Sequence, residues 1–150
     1  MTPNSDPDDP PGPRSAFRGD DRYRRGPIGL PLGVEADEAD IQDFAEHVLR
    51  KESGRSSRYT SFTTELKIAR RFTAGPDNRH VSKADLARLR DLELRGVIRI
   101  WDAEDVFASL GLGPRKIARQ AANVRAAMRR NREILIEGQI PAGVLESVKL

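Results

Sequence analysis

The stretch "RYTSFTTELKIARRF", Arg58 to Phe72, changes its period halfway along. Tyr59, Thr60, Phe62 and Thr63 are aromatic or β-branched and suit a pleated surface. Leu66, Ile68, Ala69 and Phe72 then follow a helix-like pattern. Four hydroxyl residues, Thr60, Ser61, Thr63 and Thr64, crowd the switch. Turn chemistry accounts for such a cluster, because short hydroxyl side chains bond nearby backbone. A small-molecule site that needs short hydrogen-bonding groups accounts for it as well. A strand running straight into a helix decides the fold class once its neighbours are read.

Before it, "SAFRGDDRYRRG" offers a short strand at Ala16 to Arg18 that gives way to a loop at Gly19, and "PIGLPLG" is a loop punctuated by Pro and Gly. "EADEADIQDFAEHVLRKES" reads as an amphipathic helix, with Ile41, Phe44, Ala45, Val48 and Leu49 on one stripe. Its acidic first turns and its Arg50 and Lys51 suit the helix dipole, with Gly54 as a stop. This helix is read as surface-facing, so His47 is expected to be a satisfied or solvated histidine. After the switch, "AGPDNRH" is a turn. A short strand follows at His80 to Ser82, then helical turns. "VIRIW" is a strand, and Asp102 caps a helix through Leu110, with Asp105 in a capping-box position. Gly111 and Gly113 break the chain. "PRKIARQAANVRAAMRRN" is helical, with Ile117, Ala118, Ala121, Val124 and Met128 as its stripe. "REILIEGQIP" is a strand ended by Gly138 and Pro141, and "VLESVKL" supplies a last one. Strands and helices interspersed in this order favour an α+β domain over a parallel βαβ repeat.

A length of 150 residues suits one domain with one modest core. Residues 1–13 hold five of the ten prolines and three Asp, and read as a disordered tail; residues 14–150 form the single domain. With 37% hydrophobic and 33% charged residues the composition is that of a soluble globular protein. No apolar run approaches the roughly 20 residues of a membrane span. The acidic, Pro-rich start lacks the apolar segment of a secretory signal, so the chain is expected in the cytoplasm, or secreted or delivered without a signal peptide. Without Cys there is no disulfide or thiol chemistry, and His47 and His80 share no metal-ligand spacing, so no metal is expected. The charge of +3 and pI near 9.6 come with Arg clusters at Arg22 to Arg25, Arg50 to Arg58 and Arg115 to Arg132. Such a surface is either ordinary solvated charge or a draw for nucleic acid and acidic partners.

Three pieces occur in order: "FRGDDR" (Phe17 to Arg22), "RYTSFT" (Arg58 to Thr63) and "REILIEGQIP" (Arg132 to Pro141). Together they resemble the mono-ADP-ribosyltransferases with the arginine–serine–glutamate signature, the cholera-toxin-like group, over roughly Ala16 to Val148. The middle motif stands as Ser61-Phe62-Thr63, without the family's central hydroxyl. The resemblance implies an ADP-ribosyltransferase-like split β-sandwich, two small sheets with short helices around an NAD cleft. It implies an enzyme that moves ADP-ribose from NAD to a macromolecular acceptor or to water, in a toxin or effector. An immunity or antitoxin protein would then be a partner.

By the same resemblance Glu133 is the catalytic carboxylate. Arg18 binds the diphosphate or nearby ribose, Ser61 holds Glu133 in place, and Thr60 and Thr63 line the NAD site. The residue types suit the chemistry. A carboxylate stabilises an oxocarbenium-like transition state, and an Arg fork binds oxyanions in pairs. Glu137, four residues along the same strand face, is the competing carboxylate. Tyr59 and Phe62 stack on nicotinamide or pack the core; Trp101 reads as a core or half-core residue. Asn131 stands at the acceptor-selecting position, where the family often has Glu or Gln. It brings no negative charge to attract a guanidinium. Among many arginines, that points to an acidic protein or a nucleic acid as acceptor rather than a free arginine side chain. The alternative is a non-catalytic basic nucleic-acid-binding module. The Arg density of "PRKIARQAANVRAAMRRNR" supports it; the absence of a helix-turn-helix or RNA-binding motif opposes it.

Overall fold

The structure, a computed structural model, describes residues 13–20, 27–33, 44–49, 58–73 and 80–148. The expected tail therefore lies outside the described residues apart from Pro13, as do the acidic start and the Gly54 stop of the first expected helix. In chain order the elements are β1 (Ser15–Asp20), α1 (Phe44–Leu49), β2 (Tyr59–Thr63), α2 (Leu66–Arg71), β3 (His80–Asp85) and α3 (Leu86–Leu94). Then come β4 (Ile98–Trp101), α4 (Ala103–Gly111), α5 (Arg115–Ala118), α6 (Ala121–Arg130), β5 (Glu133–Gly138) and β6 (Glu146–Val148). The class is α+β. The strands form one sheet in the order β4-β5-β2-β1-β3-β6, every pair antiparallel.

A single sheet differs from the two small sheets expected, and the difference is concentrated at one joint. β1 pairs with β3 along its whole length, Ser15↔Asp85 to Asp20↔His80, and β2 pairs with β5 from Tyr59↔Glu137 to Thr63↔Glu133. Between β1 and β2 the register is Phe17↔Thr63 alone. Two three-stranded halves thus meet at a narrow seam.

Alternation along each strand sends successive side chains to opposite faces. One face carries Ala16, Phe62, Ala84, Ile98 and Ile136, covered by Leu86 and Leu89 of α3. The other carries Tyr59 and Leu135, covered by Phe44 and Val48 of α1, Val106 and Leu110 of α4, and Ala121, Val124 and Met128 of α6. The helix expected from Pro114 onward is two helices. A tight turn separates them, with the Gln120 amide bonded to the Ile117 carbonyl at 3.0 Å and the Gln120 carbonyl accepting from Val124 to begin α6. Ala121, Val124 and Met128 of α6 are buried against the sheet. The capping box of α4 forms as expected: the Asp105 amide donates to Asp102 Oδ1 at 2.8 Å, and the Asp102 amide to Asp105 Oδ2 at 3.4 Å.

Two contacts matter later. α2 lies so close over β1 that a Cβ built on Gly19 would stand 2.2 Å from the Ala69 carbonyl oxygen. At the outer edge of the sheet, the Ile100 amide of β4 donates to Glu93 Oε2 at 2.6 Å.

Candidate active site

The β2–α2 switch and the turn between α6 and β5 are bonded to one another. Thr63 Oγ1 donates to the Asn131 carbonyl at 2.8 Å and accepts from the Glu65 amide at 3.2 Å. The Thr64 amide donates to the Arg132 carbonyl at 3.1 Å, and Arg132 Nε pairs with Glu65 Oε1 at 3.1 Å. These bonds hold Arg132 at φ 49°, a left-handed conformation that a residue with a side chain adopts at a cost. The next residue is Glu133. It is buried, directly opposite Thr63, on the sheet face that α1 and α6 cover.

Ser61 lies on the same face. It stands opposite Leu135, and is therefore the diagonal neighbour of Glu133 at a typical separation of about 7–8 Å. Two groups fasten Ser61. From α1, His47 Nε2 pairs with Ser61 Oγ at 2.7 Å, its ring edge-on to Tyr59 with centroids 5.8 Å apart. From β1, Arg18 Nη1 donates to the Ser61 carbonyl at 3.3 Å, just past the single register pair where β1 and β2 part. Arg18 is register partner of Ser82, on the face of Ala16 and Phe62, so its Cβ leaves the sheet on the side away from Glu133. Its guanidinium nevertheless reaches the backbone of β2 at the seam.

The structure thus gathers Arg18, Ser61 and Glu133 onto three adjoining strands, with Ser61 and Glu133 on a common face. The other expected site residues are placed differently. Thr60 is buried on the opposite face, alongside Gly29. The Thr63 hydroxyl is committed to the turn, and Asn131 contributes its backbone carbonyl there while its side chain remains partly exposed. Glu137 accepts from Trp101 Nε1 at 3.2 Å, a structural bond that ties β5 to β4. Tyr59 stacks on Phe44 at 4.4 Å and Phe62 is fully buried, so both rings pack the core. Among the described residues no three His, Asp or Glu side chains are grouped as metal ligands.

The sequence reading took α1 for a surface-facing helix and His47 for a satisfied or solvated residue; the structure has it satisfied, by Ser61. His47 is half-buried. Phe44, His47 and Val48 stand at i, i+3 and i+4, the spacing that puts three side chains on one helix face. That was the available signal.

Because His47 and Ser61 bond directly, their truncations should not add. In a double-mutant cycle of His47→Ala and Ser61→Ala, followed by denaturant unfolding, we expect a coupling of about 1 kcal/mol. Strict additivity would show that the pair does not form in solution.

Comparison with protein-family models, with curated proteins and with solved structures found no match to this chain.

Proposed function

We propose that the protein transfers ADP-ribose from NAD to a macromolecular acceptor, releasing nicotinamide. The observation that carries this reading is Ser61, bonded through its carbonyl to Arg18 and through its hydroxyl to His47, on the same sheet face as the buried Glu133. The three motifs that resemble the arginine–serine–glutamate transferases are far apart in the chain and adjacent in the fold. The strands form one sheet where those enzymes have two, and the NAD site is proposed along the one-pair seam between β1 and β2.

In the proposed reaction the bond between the nicotinamide nitrogen and ribose C1′ breaks, and nicotinamide leaves as a neutral ring with the bonding pair. A lone pair of the acceptor forms the new bond to C1′, and the acceptor's proton passes to solvent or a nearby base. When water is the acceptor the outcome is NAD hydrolysis. The Glu133 carboxylate stabilises positive charge as it develops on the ribose, and Ser61, held by His47, fixes the floor beside it. Arg18 supplies a planar, permanently charged fork for the diphosphate or its ribose. A toxin or effector role, with an immunity or antitoxin protein as partner, rests on the resemblance.

The direct test is to mix the protein with NAD and measure nicotinamide. Release that rises with added cell lysate is expected; no release under any condition would remove the enzyme reading. Arg18→Lys keeps the charge and loses the two-pronged geometry. With turnover silenced by Glu133→Gln, calorimetry should show NAD affinity lowered by roughly 1.5–3 kcal/mol, tenfold or more. Unchanged affinity would take Arg18 out of the site and leave it a strut between β1 and β2.

A further inference from the structure

A cavity of about 570 Å³ lies apart from Arg18, Ser61 and Glu133. It opens where the start of β1, the end of β3, the first turn of α3 and β6 meet. Small-molecule sites span about 300–1,000 Å³, so its size suits a small ligand. Leu86 and Val144 line it, and both belong to the buried core on the sheet face that carries Ala16 and Phe62. The charged lining is unbalanced: Arg14, Lys83, Arg88 and Arg90 stand against Asp85 and Glu146, four cations against two carboxylates. Asp85 is committed to capping α3, where its Oδ1 accepts from the Ala87 amide at 3.0 Å. Glu146 is the register partner of Lys83, and opposite charges directly across a ladder attract. Three guanidinium groups remain, and none of them pairs with a carboxylate among the described residues. Arg88 Nη1 donates to the Gly143 carbonyl at 3.3 Å, which leaves the other donors of its fork. Arg90 follows Leu86 by four positions and Ala87 by three, so it stands on the same face of α3.

We propose that this cavity binds a small phosphate monoester with an apolar body. Donors dominate the charged lining, so the ligand must present oxygens. Arginine forks meet phosphate oxygens in pairs. The excess of two positive charges matches a monoester, which carries about −1.5 to −2 at pH 7, better than it matches a monocarboxylate. Leu86 and Val144 give the body of the ligand an apolar wall, which bare inorganic phosphate would leave unused. The proposal shares no residue with the transferase reading and does not rest on it.

The probe is phenyl phosphate, titrated into the full chain without NAD and followed by calorimetry. Salt is held at about 0.1 M, where charges more than about 10 Å away are largely screened. Binding at one site is expected. It should be about tenfold or more tighter than that of benzoate, which keeps the ring with a single charge, and tighter than that of inorganic phosphate, which lacks the ring. Arg14→Glu with Arg90→Glu should weaken it about tenfold or more. Ala87→Trp, at an exposed helix position on the lining, fills the cavity and leaves every cation in place. It should weaken binding by a similar factor. The comparison variant is Lys67→Glu with Arg71→Glu, two exposed cations of α2, and it should bind as the parent does. Circular dichroism establishes that each variant is folded. No binding of phenyl phosphate would overturn the proposal. So would equal weakening in the two charge-reversed variants, Ala87→Trp binding as the parent does, or benzoate or inorganic phosphate binding as tightly as phenyl phosphate.

Discussion

Replacing Glu133 by glutamine should lower nicotinamide release about 10²–10³-fold while the fold and NAD affinity stay nearly as they were. The amide has almost the size and shape of the carboxyl group, so the buried position opposite Thr63 is still filled. What disappears is the carboxylate that, in the proposed reaction, would face the ribose as the glycosidic bond breaks. A charge in a buried site acts through a lower effective dielectric than one in water, which is why a single group carries so much of the rate. Glu137→Gln is the matched comparison on the same strand face. Its carboxylate accepts from the Trp101 indole, a bond the amide oxygen keeps, so turnover should hardly change. If Glu137→Gln proves the more damaging, the catalytic assignment moves to Glu137.

The largest effect on stability should come from the smallest change, Gly19→Ala. The added methyl would sit 2.2 Å from the Ala69 carbonyl oxygen and 3.0 Å from the Phe72 carbonyl carbon, both backbone atoms of the α2 segment. Neither can rotate away as a side chain would, so α2 must lift from β1 and uncover Ile68 and Ala69. Overpacking of this kind typically costs about 1–3 kcal/mol, and a rigid backbone neighbour puts this case at or above the top of that range. For a chain of this length about 3 kcal/mol lowers the melting temperature by about 6–12 °C. A melting temperature within a degree or two of the parent would mean that α2 does not pack against β1 as described.

How much of this was legible before folding depends on the range of the signal. Asp102 and Asp105 announced α4, because a capping box is chemistry within four residues. β2, β4 and β5 announced themselves by side-chain type. The seam did not. It lies beside Gly19, where α2 packs over β1, and such a contact between segments fifty residues apart leaves no local pattern to read. The division of the Pro114 helix was hidden too, since nothing in Ala118 to Ala121 breaks a helix by itself; burial of the Ala121, Val124 and Met128 ridge decides it. At the candidate site, Ser61 and Glu133 were placed by resemblance. Thr63 drew notice as a hydroxyl but serves a turn, whose other half, Asn131 and Arg132, lies far along the chain. His47 stayed open between a satisfied and a solvated residue because its partner, Ser61, lies on another element.

The bond between Glu93 and Ile100 bears on whether the sheet ends where it does. An edge strand with open amides is a template on which a second chain can add. β4 is such an edge, it is apolar at Ile98, Ile100 and Trp101, and the nearby Leu94 is strongly exposed. The Glu93 carboxylate occupies the outward amide of Ile100, so an incoming strand would have to displace a charged acceptor before gaining its first hydrogen bond there. At the opposite edge β6 is three residues long, too short to template much. At β4, then, a single carboxylate on the neighbouring helix stands in the way of strand addition.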